Sequence, residues 1–558
     1  MSCAPLNPYP EAANFRRAPS EVMTLARMGS AHPTRLSFLR TMLRRMSGDD
    51  WRFDRSLWQV DSKGVGRAVY RAIGPDRIYS LVAFSHDLPP EMRSDRVIAT
   101  AWDATFTLFD GTPTEADLDR LQANVPLQEA GRISSRELSM SRANRSVRLF
   151  ALIVDSLAAG KQPDRAEVDA VGYLMRTTAV YGSGKFGAAD RSKIADRPEL
   201  SGPFQAEMLS VWLTRQFTVD IVEHLARVKG GEKAIMLAKD IKQSLGVGNS
   251  TGLGMAPFLV RHPALINNWM LAREEALARV RSQSEATEQA IAGLSTALQN
   301  AQKNVAKWHS EHPIQMKKLD ALRADLNLIQ DYLEHWPTPS EHPWNTLWLW
   351  GGKTLSLEGQ EALLAMMLEP HGDLVDGLSD CMNADESRSF VIDGAMTIGA
   401  LKEILTSSYG WAGEIDFTAA DSLQQFWYVS EEKLEPRLGD RYSEDGAELE
   451  LPLGIARLAS NLGAALTAWD DDACVAHFLA AEPDHRFMVR RVQCCADHPF
   501  SEVRGNLNAH DMLPIDLLRC KLAYFGASRF DPRSDRWLRI SLFQDHPYPS
   551  DLNWEAVQ

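Results

Sequence analysis

Tyr181 and Lys185 stand four residues apart in YGSGKFGAADR (181–191), with Gly182, Ser183 and Gly184 between them. A tyrosine hydroxyl beside a lysine ammonium suits proton transfer, because the cation favours the phenolate. Ser183 adds a hydroxyl to the same short stretch. A phosphate-cradling loop needs glycine six residues before the lysine and Ser or Thr directly after it. Ala179 and Phe186 occupy those positions, so that template fails at both ends.

The Tyr-x-x-x-Lys spacing resembles the catalytic pair of short-chain dehydrogenases, and SKGVGRAV (62–69) resembles the glycine fingerprint of that family. The fingerprint has to follow a strand and open a helix. Here Gly64 and Gly66 lead into the alternating run RAVYRAI, and Val60 stands where the first glycine belongs. EVDAVGYLM occupies the region where the family places its serine, so the sequence reading excludes this family.

Two further stretches carry polar groups suited to an anion. In GRISSRELSMSRANRSVRLF (131–150) the apolar stripe Phe150, Ile153, Val154 and Leu157, extended backward at 3.6 residues, predicts a helix with Arg136 and Ser139 on its core side. A buried arginine needs an anionic partner, either a protein carboxylate or a ligand. Arg132 belongs to the same group, and Arg142, Arg145 and Arg148 form a basic patch on another face of that expected helix. In SLGVGNSTGLGMAPF (244–258), glycines surround Asn249, Ser250 and Thr251, a capping combination that predicts a helix N-terminus with free N–H groups. Arg176 lies on DAVGYLMRTTAV, read as an amphipathic helix ahead of the Tyr181 loop. Solvated lysine, helix-capping hydroxyls and internal ion pairs are the plainer accounts of the same residues.

Metal chemistry has little support. Cys474 and His477 have ligand-like spacing without a second pair, and Cys494, Cys495 and His498 are equally incomplete. No metal and no cofactor is predicted. The six cysteines (Cys3, Cys381, Cys474, Cys494, Cys495, Cys520) are too sparse and irregular for a disulfide framework, so reduced thiols and a cytoplasmic location are expected. Cys494 and Cys495 are expected on opposite sides of a strand. The net charge of −14 argues against nucleic acid. No apolar run spans a bilayer and the N-terminus lacks a secretory pattern, so no membrane is expected.

At 558 residues the chain exceeds one core. Residues 1–45 read as an N-terminal arm with a helix in PTRLSFLRTMLRRM, and 46–125 as an antiparallel β-rich domain closed by TPTEADLDRLQANV, a capped helix. Residues 126–263 read as a helical core holding the candidate site. Between 264 and 337 a stripe from Leu277 through Ile291, Leu298 and Val305, resumed from Leu319 to Trp336, predicts an antiparallel coiled-coil hairpin. Residues 338–558 read as a C-terminal α+β domain, with strands in HRFMVRRVQCC and DRWLRISLFQ.

The expected fold class is α+β and predominantly helical. The expected function is a cytoplasmic enzyme of lyase or transferase type acting on a small carboxylate, phosphate or sulfonate. Tyr181, Lys185 and Ser183 are its catalytic residues, and Arg132, Arg136, Ser139, Arg176, Asn249 and Thr251 bind the anion. The hairpin would make homo-oligomers. Two alternatives remain: a non-catalytic scaffold working through the hairpin, and a flavin-type oxidoreductase without a nucleotide fingerprint.

Overall fold

The structure, a computed structural model, describes residues 10–555 except 93–100, 127–133, 182–193, 195, 201–204, 250–262, 338–339, 383–390, 420–426, 431–432, 439–447, 451–452, 503, 505–522, 525, 528 and 533–537. The fold is mixed α/β. Two compact units divide the chain: residues 38–255, 525–530 and 539–558 form one, and residues 1–37, 256–524 and 531–538 the other.

The first of these units is built on a mixed sheet. Its strands are β1 (Arg52–Val60), β2 (Gly66–Ile73), β3 (Ile78–Ser85), β4 (Ala104–Asp110), β5 (Glu137–Arg145), β6 (Tyr173–Tyr181) and β7 (Gly246–Asn249). The 427–450 region of the other unit contributes a separate small antiparallel sheet of β8 (Trp427–Ser430), β9 (Lys433–Leu438) and β10 (Glu448–Glu450). Then come β11 (Arg529–Pro532), β12 (Leu538–Leu542) and β13 (Trp554–Glu555), and the main sheet has the order β11-β12-β7-β6-β5-β4-β3-β2-β1-β13. Strands β1 to β6 are antiparallel neighbours, whereas β7 runs parallel to β6 and β13 parallel to β1.

Period-two alternation explains why this sheet is covered on two faces. Val69, Val82, Phe84 and Phe109 point to one side and pack with Leu118 and Leu121 of helix α2 (Glu115–Asn124). Thr114 caps α2 in a reciprocal capping box with Asp117, as TPTEAD predicts. In chain order, α1 is Phe38–Gly48, α3 Phe150–Ala158, α4 Arg165–Val171 and α5 Gln205–Gly230. The long α5 lies across the other face, where the Phe217 ring meets Tyr70 and Phe106 edge-on and Trp212 meets Phe53. Burying each of those rings contributes roughly 1.5–3 kcal/mol.

Two expected helices are strands. Residues 137–145 form β5, so the basic patch of Arg142, Arg145 and Arg148 does not exist. Arg142 stacks on Trp102, the Arg145 guanidinium lies 3.7 Å from Asp103, and Arg148 is exposed outside the strand. DAVGYLMRTTAV is a helix only to Val171: Gly172 at φ 78° ends α4 in the left-handed conformation, and β6 begins at Tyr173. The expected helix start at Asn249 is likewise the end of strand β7.

In the other unit, helix α6 (Pro263–Arg281) is followed by α7 (Glu288–Val305), α8 (Pro313–Leu333), α9 (Pro343–Thr354) and α10 (Leu357–Leu368). Residues 264–281 are therefore a separate helix. It is buried on most sides (Leu265, Trp269, Leu277, Val280), and the expected long arm is shortened accordingly. Helices α7 and α8 pack together, and α8 packs on α10. Helices α11 (Ile398–Tyr409), α12 (Leu453–Leu466) and α13 (Arg486–Asp497) share a second core around Leu401, Leu462, Phe478 and Val489. HRFMVRRVQCC is thus a helix and not a strand, with Cys495 buried and Cys494 partly exposed on it. Cys381 is disulfide-bonded, which departs from the expected reduced thiols. No helix of the described residues is long and apolar enough to cross a membrane.

Candidate functional site

Hydrogen-bond register decides which of the singled-out residues share a neighbourhood. Strand β5 pairs with β6 antiparallel, Met140 opposite Tyr181, so the start of β5 and the end of β6 lie at one end of the sheet. Strand β7 runs parallel to β6, Thr177 opposite Asn249, so β7 leaves the sheet in the same direction. Asn249 stands four residues behind Tyr181 along that direction, roughly 13 Å at strand rise. Arg136 immediately precedes β5 at this end, next to Asp110, the last residue of β4. Asn249 is level with Ala143 of β5, seven residues and roughly 23 Å along the strands from Arg136, so Tyr181 stands between them and the register does not bring Arg136 and Asn249 together. Arg132, Ser183, Lys185 and Thr251 lie outside the described residues.

Side chains at this end are held by one another. Arg136 lies over the Phe109 ring at 4.2 Å, donates to the Asp110 carbonyl at 3.1 Å and faces Asp117 at 3.6 Å. It does not point into the core as a helical reading requires, because a strand entering the sheet turns it toward α2. Arg120 pairs with Glu137 at 2.9 Å, and Arg197 with Asp110 at 2.7 Å. Tyr79 donates to Glu199, and burial together with that carboxylate pushes the phenol well up from its ordinary value. Backbone and hydroxyl donation from Thr114, and the nearby arginines, hold the Asp117 carboxyl below the usual range. Arg120, Arg136 and Arg197 thus meet Asp110, Asp117 and Glu137, and their charges cancel locally.

Ser139 is fully buried on the α5 face of β5, hydrogen-bonded to Ser210 of that helix. It fastens strand to helix and offers nothing to a ligand. Arg176 is buried on β6, in the row that joins Asn144 of β5 to Gly248 of β7. Sequence reasoning missed Asp110, Asp117 and Glu137, the carboxylates that partner these arginines. Asp110 and Asp117 carry a signal in the strand ending TLFD and in the capping box TEAD, but the pairing of all three needs the β4–β5 register.

Among the described residues no group of three or more His, Cys, Asp or Glu side chains is placed to hold a metal ion. No protein-family model, no curated protein and no solved structure matches the chain.

Proposed function

We propose that the protein acts on a small anionic metabolite at the end of the sheet where β5 enters and β6 and β7 leave. Tyr181 and Lys185 carry the proton, with Ser183 between them. Arg176, Asn249 and Thr251 hold the carboxylate, phosphate or sulfonate, and the chemistry is of lyase or transferase type. The observation that supports this reading is the register, Met140 with Tyr181 and Thr177 with Asn249. Chain segments leaving adjacent parallel strands at their carboxyl ends are where open α/β sheets bind ligands. Arg136 and Ser139 are reassigned in this proposal: their protein partners make them supports of the strand end.

The scaffold reading depends on an apolar seam along α7 and α8. Leu294, Leu298, Leu322, Leu326 and Ile329 of that seam are buried within their own unit, which favours the metabolite reading.

The test is a thermal-shift panel of small dicarboxylates, phosphate and sulfonates on the wild-type protein, Tyr181→Phe and Lys185→Gln. Saturable stabilisation by one anion class, diminished in Lys185→Gln, is expected. Stabilisation undiminished by either substitution for every anion class, or none with any anion, overturns the proposal.

A further inference from the structure

The unit that contains α6 to α10 holds a cleft of about 380 Å³ unrelated to the sheet end. One wall is the N-terminal segment Phe15, Arg16 and Arg17; the others are Arg281 at the last position of α6 and Trp348 and Lys353 on α9. Four of its lining residues are cations, and Glu21 is the one carboxylate among them.

The cations differ in how they are satisfied. Arg17 is fully engaged below the floor by Glu274 and Glu361. Arg16 reaches Glu275 at 3.8 Å while remaining exposed. Arg281 has no carboxylate within 4 Å among the described residues. Its guanidinium donates to Asn345 Oδ1 at 3.0 Å and to the Phe15 carbonyl, and lies 5.7 Å from both the Phe15 and the Trp348 rings. Lys353 makes no hydrogen bond or ion pair with any described residue. Behind the wall, Arg17, Arg27 and Arg273 share Glu274 and Glu361. Burial and the neighbouring Arg17 lower Arg281 to about 10, in keeping with a cationic surplus.

Arg281 and Lys353 also lie at helix C-termini, where a cation offsets roughly half a negative charge per helix. On the lining itself Arg16, Arg17, Arg281 and Lys353 face Glu21, and Glu274, Glu275 and Glu361 reach the cleft only through Arg16 and Arg17. Arg281 and Lys353, which no described carboxylate pairs, leave the face of the cleft positive.

We propose that this cleft is a second ligand site, one that binds a multiply charged small anion such as a phosphate ester or a polycarboxylate through Arg281, Lys353 and Arg16. Two forked guanidiniums and an ammonium on one concavity match a dianion's several acceptor oxygens. The volume exceeds that of a lone phosphate group, and Leu349, half exposed on the rim, offers apolar surface to the ligand's body.

The experiment is calorimetric titration of the full chain with inorganic phosphate, pyrophosphate and citrate at low salt, with Trp fluorescence as a second readout. Saturable binding is expected, weakened about tenfold or more by Lys353→Gln and by Arg281→Gln, and unchanged by Lys229→Gln, whose lysine pairs with Asp155 in the other unit. Lys353 touches no described partner, so Lys353→Gln should leave the unliganded Tm nearly unchanged and remains informative if Arg281→Gln fails to fold. The proposal is overturned by no saturable binding, or by equal affinity in wild type and Lys353→Gln. A fall in Tm without a fall in affinity would assign Lys353 to the helix end alone. Binding lost in Lys185→Gln but kept in Lys353→Gln places the anion at the sheet end instead, so the two sites are told apart.

Discussion

Arg17 and Glu274 form a two-pronged ion pair, Nε to Oε2 and Nη2 to Oε1 both at 2.7 Å, across 257 positions of sequence. Arg17 also donates to Glu361 at 3.0 Å, and its side chain is 2% exposed. This pair fixes the N-terminal segment to α6 and α10 within their unit. Removing one partner of a buried pair strands the other charge, at a cost of about 3–5 kcal/mol. Arg17→Met should therefore lower unfolding stability by that order in urea titration, and Arg17→Met combined with Glu274→Gln should recover part of the loss. A single-mutant loss below about 1 kcal/mol would class the pair with surface ion pairs.

Acid sensitivity follows from the same carboxylate. Burial alone would push the Glu274 carboxyl up, but Arg17, by charge and hydrogen bond, and then Arg273 and Arg27, hold it below its ordinary 4.5. A depressed carboxylate binds fewer protons folded than unfolded, so its stabilisation is complete above the unfolded value and fades as pH falls through the folded one. Urea midpoints measured from neutral pH down to about pH 3 should decline below 4.5. In Glu274→Gln the curve should start lower and fall less steeply. An identical slope in both proteins would assign the acid response to other groups.

Gly248 owes its place in β7 to the Tyr173 ring of β6. A Cβ there would lie 2.8 Å from three ring atoms, closer than real contacts allow. Tyr173 is buried, so the ring has little room to withdraw. Gly248→Ala should cost about 1–3 kcal/mol by overpacking. In a Tyr173→Ala background the same change should cost much less, and an unchanged cost would mean that the glycine serves its backbone alone.

That glycine also shows where the sequence could and could not be read. Alternation in RAVYRAI and IYSLVAFS exposed β2 and β3, and the capping box exposed α2, because those signals are local. GVGN suggests a helix start because small residues and Asn suit an N-cap; the close approach of Tyr173 that demands the glycine is set by a parallel pairing across 75 positions. ELSMSRANR hides β5 for a related reason: its buried face carries Ser139 and Ser141 where apolar residues usually alternate, and Ser139 is satisfied by Ser210 of α5. β6 left a clearer trace, since Gly172 stops α4 and the run TTAVY (177–181) is rich in β-forming residues. At the candidate site no helix groups Tyr181, Arg136 and Asn249: strand register sets Tyr181 about four residues from the level of each, with Arg136 and Asn249 on opposite sides of it.

Arg215 is a charge at the centre of α5 that no described carboxylate approaches closely enough to pair. It is fully buried, with Nε donating to the Leu245 carbonyl at 2.8 Å, Nη1 to those of His546 and Pro547 at 2.7 and 3.2 Å, and Nη2 to that of Gln243 at 3.2 Å. Its guanidinium lies 3.7 Å over the Tyr548 ring, whose hydroxyl donates to the Lys242 and Leu245 carbonyls. Burial lowers its pKa, and Tyr548 opposes that shift. The planar fork clamps residues 243–245 to residues 546–548, a geometry that a lysine ammonium cannot reproduce. Each buried carbonyl left unpaired costs about 1–3 kcal/mol. Arg215→Lys should therefore destabilise by about 3 kcal/mol or more, and amide exchange should rise first at 243–248 and 544–548. Wild-type exchange rates in those segments of Arg215→Lys would show that packing against α5, and not the guanidinium, holds them.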